Sequence, residues 1–374
     1  MKVLFVTTIS NTVNAFLIPH IKMLVEQGHQ VDVAFNTVQE VKQEIMELGC
    51  NIYNIEFQRS PFSKQNISAY KKLKDLIEYE NYDLVHTHTP IASVIVRLVC
   101  KNVQGVKVVY TAHGFHFYKG APIQNWLIYY PVEKWLSKHT DVLITINKED
   151  YDRAKKTFKT KLIEYVPGVG LDTSRFQNLN IDKQYKRKEL GVPSDAFMLL
   201  SIGELNRNKN HETVIKALAK LRNPNVFYVI CGQGPLEVHL KKLISDLGLR
   251  QQVILLGYRK DIVEICKAAD LFVFPSYREG LPVSLMEAMA SRLPVVCSNV
   301  RGNKDLIVQG KGGYLVKPDD EVGFANAIDT LLNDHKSLLL YAQNNFWSIK
   351  KFAVPNIIKK MNNIYNALKG ENCG

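Results

Sequence analysis

Apolar residues recur along the chain in two alternating rhythms. Short, nearly unbroken Val/Ile/Leu-rich runs are separated by longer stretches in which apolar positions return with a helical period. The short runs predict strands at residues 2–8, 30–36, 51–57, 83–89, 106–112, 141–146 and 162–166, with amphipathic helical segments such as 15–27 and 68–79 between most of them. Strands apolar on both faces and joined by helices belong to a parallel sheet covered on both sides. The pattern then restarts, with strands predicted at 197–203, 226–232, 252–257, 271–275, 293–298 and 313–316, and helices opening near Asn210, Pro235, Asp261 and Val283. Between the two series lies Val166-Pro167-Gly168-Val169-Gly170-Leu171-Asp172, whose Gly and Pro mark a linker. The fold class expected is α/β: two doubly wound, Rossmann-like parallel-sheet domains, residues 1–166 and 173–353, facing a central cleft across the linker 167–172. A last helical stretch, about 335–368, is interrupted by Pro355 and should kink or split there. One place for its final part, about 354–374, is back against the first domain.

The length of 374 residues leaves room for two full cores, and 46% hydrophobic with 22% charged residues is ordinary for globular chains. The formal net charge of +12 changes the picture more, because a basic excess suits nucleic acid, an anionic membrane surface or an anionic small substrate. A mildly basic solvated surface accounts for it equally well. The basic residues, including the run 183–188, are scattered and compose no nucleic-acid-binding module, so no nucleic-acid partner is expected. No apolar run is long enough to span a bilayer. The apolar start is broken at once by Thr7, Thr8, Ser10 and Asn11, which reads as a buried first strand and not as a signal peptide. Cys50, Cys100, Cys231, Cys266, Cys297 and Cys373 are widely spaced with no CxxC pair, as expected of free thiols in a reducing cytoplasm without zinc or disulfides.

Candidate chemistry gathers at the predicted strand ends. After the strand ending at Pro275, a polar loop Ser276-Tyr277-Arg278-Glu279-Gly280-Leu281 leads into a helix opening at Pro282 or Val283. First-turn amides lack intrahelical acceptors, and with the helix dipole they form an anion site suited to a diphosphate. Glu287 falls one turn inside, on the face of Ser284 and Ser291, where a carboxylate can accept two hydrogen bonds from a ribose diol. Glu279, in the loop, could hold sugar hydroxyls. Lys209 and Arg207 follow the first strand of the second domain and could neutralise phosphates. Gly232, in Cys231-Gly232-Gln233-Gly234, either lets backbone approach a ligand or simply turns into a helix. In the first domain, His86 and His88 end one strand and His113 and His116 follow another. Thr8 belongs to a loop, 7–14, whose hydroxyls and amides could take acceptor or phosphate. The aromatic stretch 126–136, with Lys119, Lys134 and Lys138 nearby, reads as a helix packed on the first sheet or as a surface for a membrane interface.

The Glu279–Glu287 element resembles the E-x7-E element of the family 4 glycosyltransferases, retaining enzymes of GT-B architecture, and the resemblance extends over nearly the whole chain. It implies that Glu279 and the backbone of Gly280, Leu281, Pro282, Val283 and Ser284 hold the donor sugar and diphosphate, that Glu287 holds the ribose, and that Tyr258 and Arg259 lie near the base. It also implies that Lys209 neutralises phosphate and that His113 lies near the donor sugar, with Thr8, His88 and His116 as acceptor contacts. Two positions depart from the family pattern. Glu204 stands where an arginine is usual, and the first loop lacks adjacent glycines.

The function expected is metal-independent, retaining transfer of a sugar, an N-acetylhexosamine as first choice, from a UDP-sugar co-substrate. No other cofactor is expected. The resemblance to bacterial exopolysaccharide, capsule and lipid-linked oligosaccharide enzymes implies a polyprenyl-diphosphate-linked or saccharide acceptor and a cytoplasmic protein peripheral to the inner face of the plasma membrane. A nucleotide-sugar 2-epimerase and a catalytically silent nucleotide-sugar-binding partner are the rival readings.

Overall fold

The computed structural model describes residues 1–177 and 179–370. Cys373 and the end of the expected 354–374 helix lie outside the described residues. Contacts divide the chain into two units, one of residues 1–170 together with the helix Val354–Gly370, the other of residues 171–353.

In the first unit, β1 (Lys2–Ile9), β2 (Gln30–Asn36), β3 (Ile52–Asn54), β4 (Leu84–His88), β5 (Lys107–Ala112), β6 (Val142–Thr145) and β7 (Leu162–Tyr165) form one parallel sheet in the order β3-β2-β1-β4-β5-β6-β7. In the second, β8 (Phe197–Ile202), β9 (Val226–Cys231), β10 (Val253–Gly257), β11 (Leu271–Phe274), β12 (Val295–Ser298) and β13 (Gly313–Val316) form a parallel sheet in the order β10-β9-β8-β11-β12-β13. Every strand expected from the apolar runs is present, and both sheets are doubly wound. The central strands are buried on both faces, β4 and β11 at every residue. This is the environment that a continuous apolar run requires and a one-sided alternating strand does not.

The first connection differs from expectation. Residues 7–14 are not a loop: β1 continues to Ile9, and Ser10–Thr12, a π-turn Val13–Leu17 and the helix Ile18–Glu26 follow without a break. Pro19 explains the widened turn, because it has no N–H for the carbonyl four residues back and its ring crowds that carbonyl. Two of the polar side chains here are also committed. Ser10 Oγ donates to Gln39 O (2.8 Å), and Asn14 Nδ2 donates to Glu40 O (2.8 Å) while its Oδ1 accepts from Lys42 N (3.1 Å). They pin the segment after β2 and are not offered to a ligand.

At the other end of the chain, the helix His335–Ser348 passes through a 3-10 turn, Ile349–Phe352, and a new helix starts at Val354 with Pro355 in its first turn. There a missing N–H costs nothing. Ile357, Met361, Ile364, Tyr365 and Leu368 form one stripe at helical spacing, buried with Val3, Phe5, Ile21 and Leu24 of the first unit. Tyr365 also makes a polar contact. Its hydroxyl meets His86 Nδ1 at 2.6 Å, while His86 Nε2 meets Thr111 Oγ1 at 2.8 Å. His86 is thereby a core residue with both ring nitrogens satisfied.

Tyr365→Phe removes one partner from a buried imidazole and leaves the packing intact. The unpaired nitrogen should cost about 1–3 kcal/mol of unfolding free energy, read as a lower urea midpoint at unchanged m-value. An unchanged midpoint would show that the His86–Tyr365 contact contributes nothing to holding the terminal helix.

Candidate functional site

Strand order reverses between β1 and β4 in the first unit and between β8 and β11 in the second. Ligands of open parallel sheets bind beyond the strand C-termini at such reversals, and most of the candidate residues stand at these two places.

In the second unit, Lys209 Nζ pairs with Glu279 Oε1 at 2.6 Å and lies 4.7 Å from the centre of the Phe274 ring. Lys209 comes from the loop after β8 and Glu279 from the loop after β11. The two loops are stitched by Asn208 Nδ2 to Arg278 O (3.0 Å), Tyr277 N to Asn208 O (2.8 Å) and Asn210 Nδ2 to Pro275 O (3.1 Å). The helix Val283–Ala290 opens immediately behind Glu279. Its N-cap is Pro282, which offers no capping side chain, and its first intrahelical acceptor serves Met286 N (Pro282 O, 3.2 Å). The amides of Val283, Ser284 and Leu285 therefore precede the helical ladder and are available to an anion. Pro282 itself cannot donate, since it has no N–H. Of the five backbone positions expected to hold the donor, it contributes only shape.

Glu287 lies one turn inside the same helix, half-buried against Cys266 and the turn Ser174–Gln177. Burial raises its carboxyl to about 7, and the guanidinium of Arg175 pulls in the opposite direction. Arg175, which sequence reasoning did not select, is thus the cation nearest in effect to the expected ribose ligand.

Other candidates are placed differently. Arg207 is exposed and lines a cavity with Glu212, Lys216 and Glu321 that neither Lys209 nor Glu279 lines. Arg259 is held by Asp261 (2.5 and 2.8 Å) and Glu189 (2.7 Å), in a network completed by Lys186 with Glu189, Asp261 and Glu264. Its guanidinium is committed within the fold, whereas the side chain of Tyr258, 69% exposed, is open to a base. The same network absorbs part of the basic run 183–188: Lys186 and Arg187 are buried, Arg187 on Asp270. Gly232 has a further reason to be a glycine, set by the fold itself. A Cβ there would lie 1.9 Å from Gly203 O, so the glycine is required by contact between the loops after β9 and β8, and it shapes the Lys209 loop from behind. Gly302 (φ +79°) does the same for Glu279, since a Cβ would stand 2.5 Å from Gly280 O, and the neighbouring Arg301 donates from Nε to Glu279 O (3.1 Å). Arg301 and Gly302 follow β12. The strand-end rule that selected Lys209 could have selected them too.

In the first unit, His88 Nδ1 and His113 Nε2 are 3.0 Å apart, and the His88 ring stacks on Phe5. Burial, and then the neighbouring His20, lower His113 to about 4, and burial holds His88 well below the ordinary histidine range, so both are neutral at pH 7. His88 is 3% exposed, and its Nε2 has no partner among the described residues. It is too deep to touch an acceptor. It lies beneath His113 and orients it. Thr8 is different. Thr89 Oγ1 donates its single proton to His88 O, so the Thr8 hydroxyl, 2.7 Å away, must donate to Thr89 and keeps only lone pairs for a ligand. Thr89 is a β-branched residue at φ +68°, ψ 144°, a conformation costing of order 1–3 kcal/mol. Thr8, Thr12, Thr89, His116 and Tyr129 line a cavity of about 280 Å³, with the His116 ring stacked on Tyr129.

The halves of the chain match two family models, "Glycosyl transferase 4-like" over residues 2–147 and "Glycosyl transferases group 1" over residues 182–345. A Bacillus subtilis (strain 168) protein provisionally named glycosyltransferase EpsD is 38% identical over 98% of this chain and 96% of its own. The UDP-Gal:alpha-D-GlcNAc-diphosphoundecaprenol alpha-1,3-galactosyltransferase of Escherichia coli is 32% identical over 75% of each chain. Among solved structures, Anabaena HepE in complex with UDP superposes with a TM-score of 0.81 at 21% identity, over 98% of this chain and 100% of that one. The sucrose-phosphate synthase of Thermosynechococcus elongatus gives 0.83 at 19% identity, over 99% and 100%. The structural likenesses establish the GT-B fold.

The raised Glu287 carboxyl has a stability signature. The folded state holds its proton to a higher pH than the unfolded state, so this group's contribution becomes unfavourable as pH climbs from 4.5 towards 7. Glu287→Gln should therefore be no more stable than wild type below pH 4.5 and more stable at pH 8, by up to about 3 kcal/mol. Denaturant melts at the two pH values measure this, and an equal difference at both would contradict it.

Proposed function

The chain belongs to the group 1 glycosyltransferases, and we propose that it transfers a sugar from a UDP-sugar to a hydroxyl of a lipid-linked or growing polysaccharide acceptor, with retention of anomeric configuration. The observation that carries this reading is the Lys209–Glu279 pair in front of a helix whose first amides are uncapped. When the bond from the anomeric carbon to the diphosphate breaks, negative charge grows on the leaving oxygen. A lysine and oriented amides stabilise that charge without reorganising. Glu279, turned towards sugar hydroxyls, fixes the donor, and Glu287 accepts from the ribose diol. The acceptor oxygen attacks the anomeric carbon on the face the diphosphate leaves, and the departing phosphate oxygen takes the acceptor proton. His113, neutral at pH 7, contributes a hydrogen bond and no charge.

The UDP donor is supported by the E-x7-E element, by the E. coli relative, whose name gives UDP-Gal, and by the UDP bound to the Anabaena neighbour. The lipid-linked acceptor is supported by the diphosphoundecaprenol substrate in the name of the same relative. An N-acetylhexosamine is the first donor sugar to test. Because Lys209 and the amides supply the countercharge, transfer needs no divalent ion.

The decisive experiment incubates the purified protein with a panel of UDP-sugars and a diphosphate-lipid-linked sugar in EDTA. A new lipid-linked disaccharide is expected whose NMR coupling constant shows the donor's configuration retained. Dependence on added manganese or magnesium, or an inverted linkage, would contradict the mechanism. Release of an altered nucleotide sugar without acceptor would establish the epimerase instead. Glu287→Gln should weaken UDP binding about 10-fold or more, although the variant is the more stable protein at pH 8.

No helix among the described residues is long and apolar enough to cross a membrane. The helix Ile123–Leu136 packs inward through Trp126, Tyr129 and Tyr130 against the cluster of Phe117 and Phe158, and it leaves Ile123, Leu127, Ile128, Val132 and Trp135 exposed. Lys101 lies over the Trp135 ring and Lys134 over Tyr130. Such an apolar stripe edged with lysines suits reversible contact with the anionic inner face of the plasma membrane. Liposome flotation should recover more protein with acidic than with neutral vesicles, and less at high salt. Equal recovery on both would remove the electrostatic attachment.

A further inference from the structure

Beside the Thr8–His116 cavity is a second and larger one, about 620 Å³, between the helices Gln65–Glu80, Pro90–Cys100 and Ile123–Leu136. Ile67, Ile91, Val94, Leu98, Ile128 and Val132 supply its walls, and Phe62, 87% exposed, stands at its edge. The acidic side chain in its wall, Glu133, is neutralised. Arg97 holds it with two hydrogen bonds, 2.8 and 3.0 Å, and both residues are buried. The groove is therefore mainly apolar, with Ser63, Lys64 and Asn66 on one side of it. It is also continuous with the polar cavity, because Pro61, Pro90, Ile91, His116 and Tyr129 line both. Arg59 lines the polar side of the junction, and Lys64 lines the groove.

A largely apolar trough that shares a wall with a small compartment lined by Arg59 and hydroxyls has the polarity profile of one kind of occupant: an apolar chain, then an anion, then a hydroxylated group. We propose that this groove holds the isoprenoid chain of a diphosphate-linked acceptor, that Arg59 contacts the diphosphate, and that the acceptor sugar enters the Thr8–His116 compartment. This rests on the lipid-linked-acceptor reading above and deepens it, by giving the lipid a seat within the first unit separate from the bilayer itself. An amphipathic peptide helix would fill the apolar walls but would leave the polar compartment and Arg59 unused. The arrangement also assigns Tyr129 a place in recognition: shared by both cavities and stacked on His116, it lies where chain gives way to headgroup.

The test uses the full-length protein in saturating UDP, so that the donor site is occupied, with farnesyl diphosphate below its aggregation threshold as the probe and calorimetry as the readout. Farnesyl diphosphate should bind, inorganic diphosphate should not compete at equal concentration, and farnesol should bind more weakly. Ile128→Glu/Val132→Glu should weaken farnesyl diphosphate at least 10-fold, and Phe62→Ala, at a position too exposed to matter for folding, about 3-fold. Arg59→Ala should weaken farnesyl diphosphate at least 5-fold and leave farnesol unchanged. UDP affinity should be unchanged throughout, and an unchanged circular dichroism spectrum and urea midpoint certify that the variants are folded. Equal affinity of wild type and the double variant would overturn the proposal. So would flotation on anionic vesicles with no binding of the soluble probe, which would make the face a membrane contact only. If the variants behave as stated but no sugar reaches a lipid acceptor, the groove stands as an isoprenoid diphosphate site and the transfer reading falls separately.

Discussion

A parallel strand covered on both faces has no place for an uncompensated polar side chain except near its ends, and this constraint organises the molecule. In β1, β4, β8 and β12 the polar positions Thr7, Thr8, His86, Thr87, His88, Ser201 and Ser298 crowd towards the C-terminal end, and after Lys2 at the very start of β1 the residues before them are Val, Leu, Phe, Met and Cys. Where a polar group does sit early in a strand, it is fully paired: Asp32 of β2 accepts from the Tyr82 hydroxyl (2.8 Å) and from Asn51 N (3.1 Å). Burial thus sorts chemistry to one edge of each sheet, and the reversals of strand order gather it there.

What then fixes the geometry is contact between loops. Gly232 brings the loop after β9 against the loop after β8, Gly302 brings the loop after β12 against Gly280, and Asn208 and Asn210 tie the loops after β8 and β11 together. Lys209 and Glu279 meet because four strand ends are laced into one rim. Preorganisation of this kind keeps oriented dipoles aimed where charge develops, without a reorganisation cost at the moment of reaction.

The fold was almost fully legible in the sequence, because burial on both faces imposes continuous apolar runs and the turn chemistry punctuates them. The split before the terminal helix followed from Pro355. The first connection was misread for an equally physical reason: Thr7 to Asn14 is polar enough to suggest a loop, but Ser10 and Asn14 serve the segment after β2, a pairing between positions far apart in the chain. The candidate site was legible where a local rule applied, as at Lys209, Glu279, Glu287 and the helix opening near Val283. Wherever the answer depended on which carboxylate a basic residue would find, pattern could not supply it. Arg259 and Lys186 are tied up with Glu189 and Asp261, and Arg175 takes up a place near Glu287. His88 and His86 look alike in sequence, yet Tyr365, more than 270 residues on, makes one of them a pillar of the core.

The second unit begins and ends at one point of the fold. Leu171 N donates to Phe352 O at 2.9 Å, and Leu171 pairs with Ala353 in a parallel bridge, so the chain enters and leaves residues 171–353 side by side. A segment whose ends are already joined by hydrogen bonds is topologically a cassette. It can be lifted out, or exchanged for the corresponding segment of a relative, without asking either remaining stretch of chain to find a new path. Recombination at these two neighbouring positions offers a route by which one half of such a protein could change its ligand while the other half keeps its own.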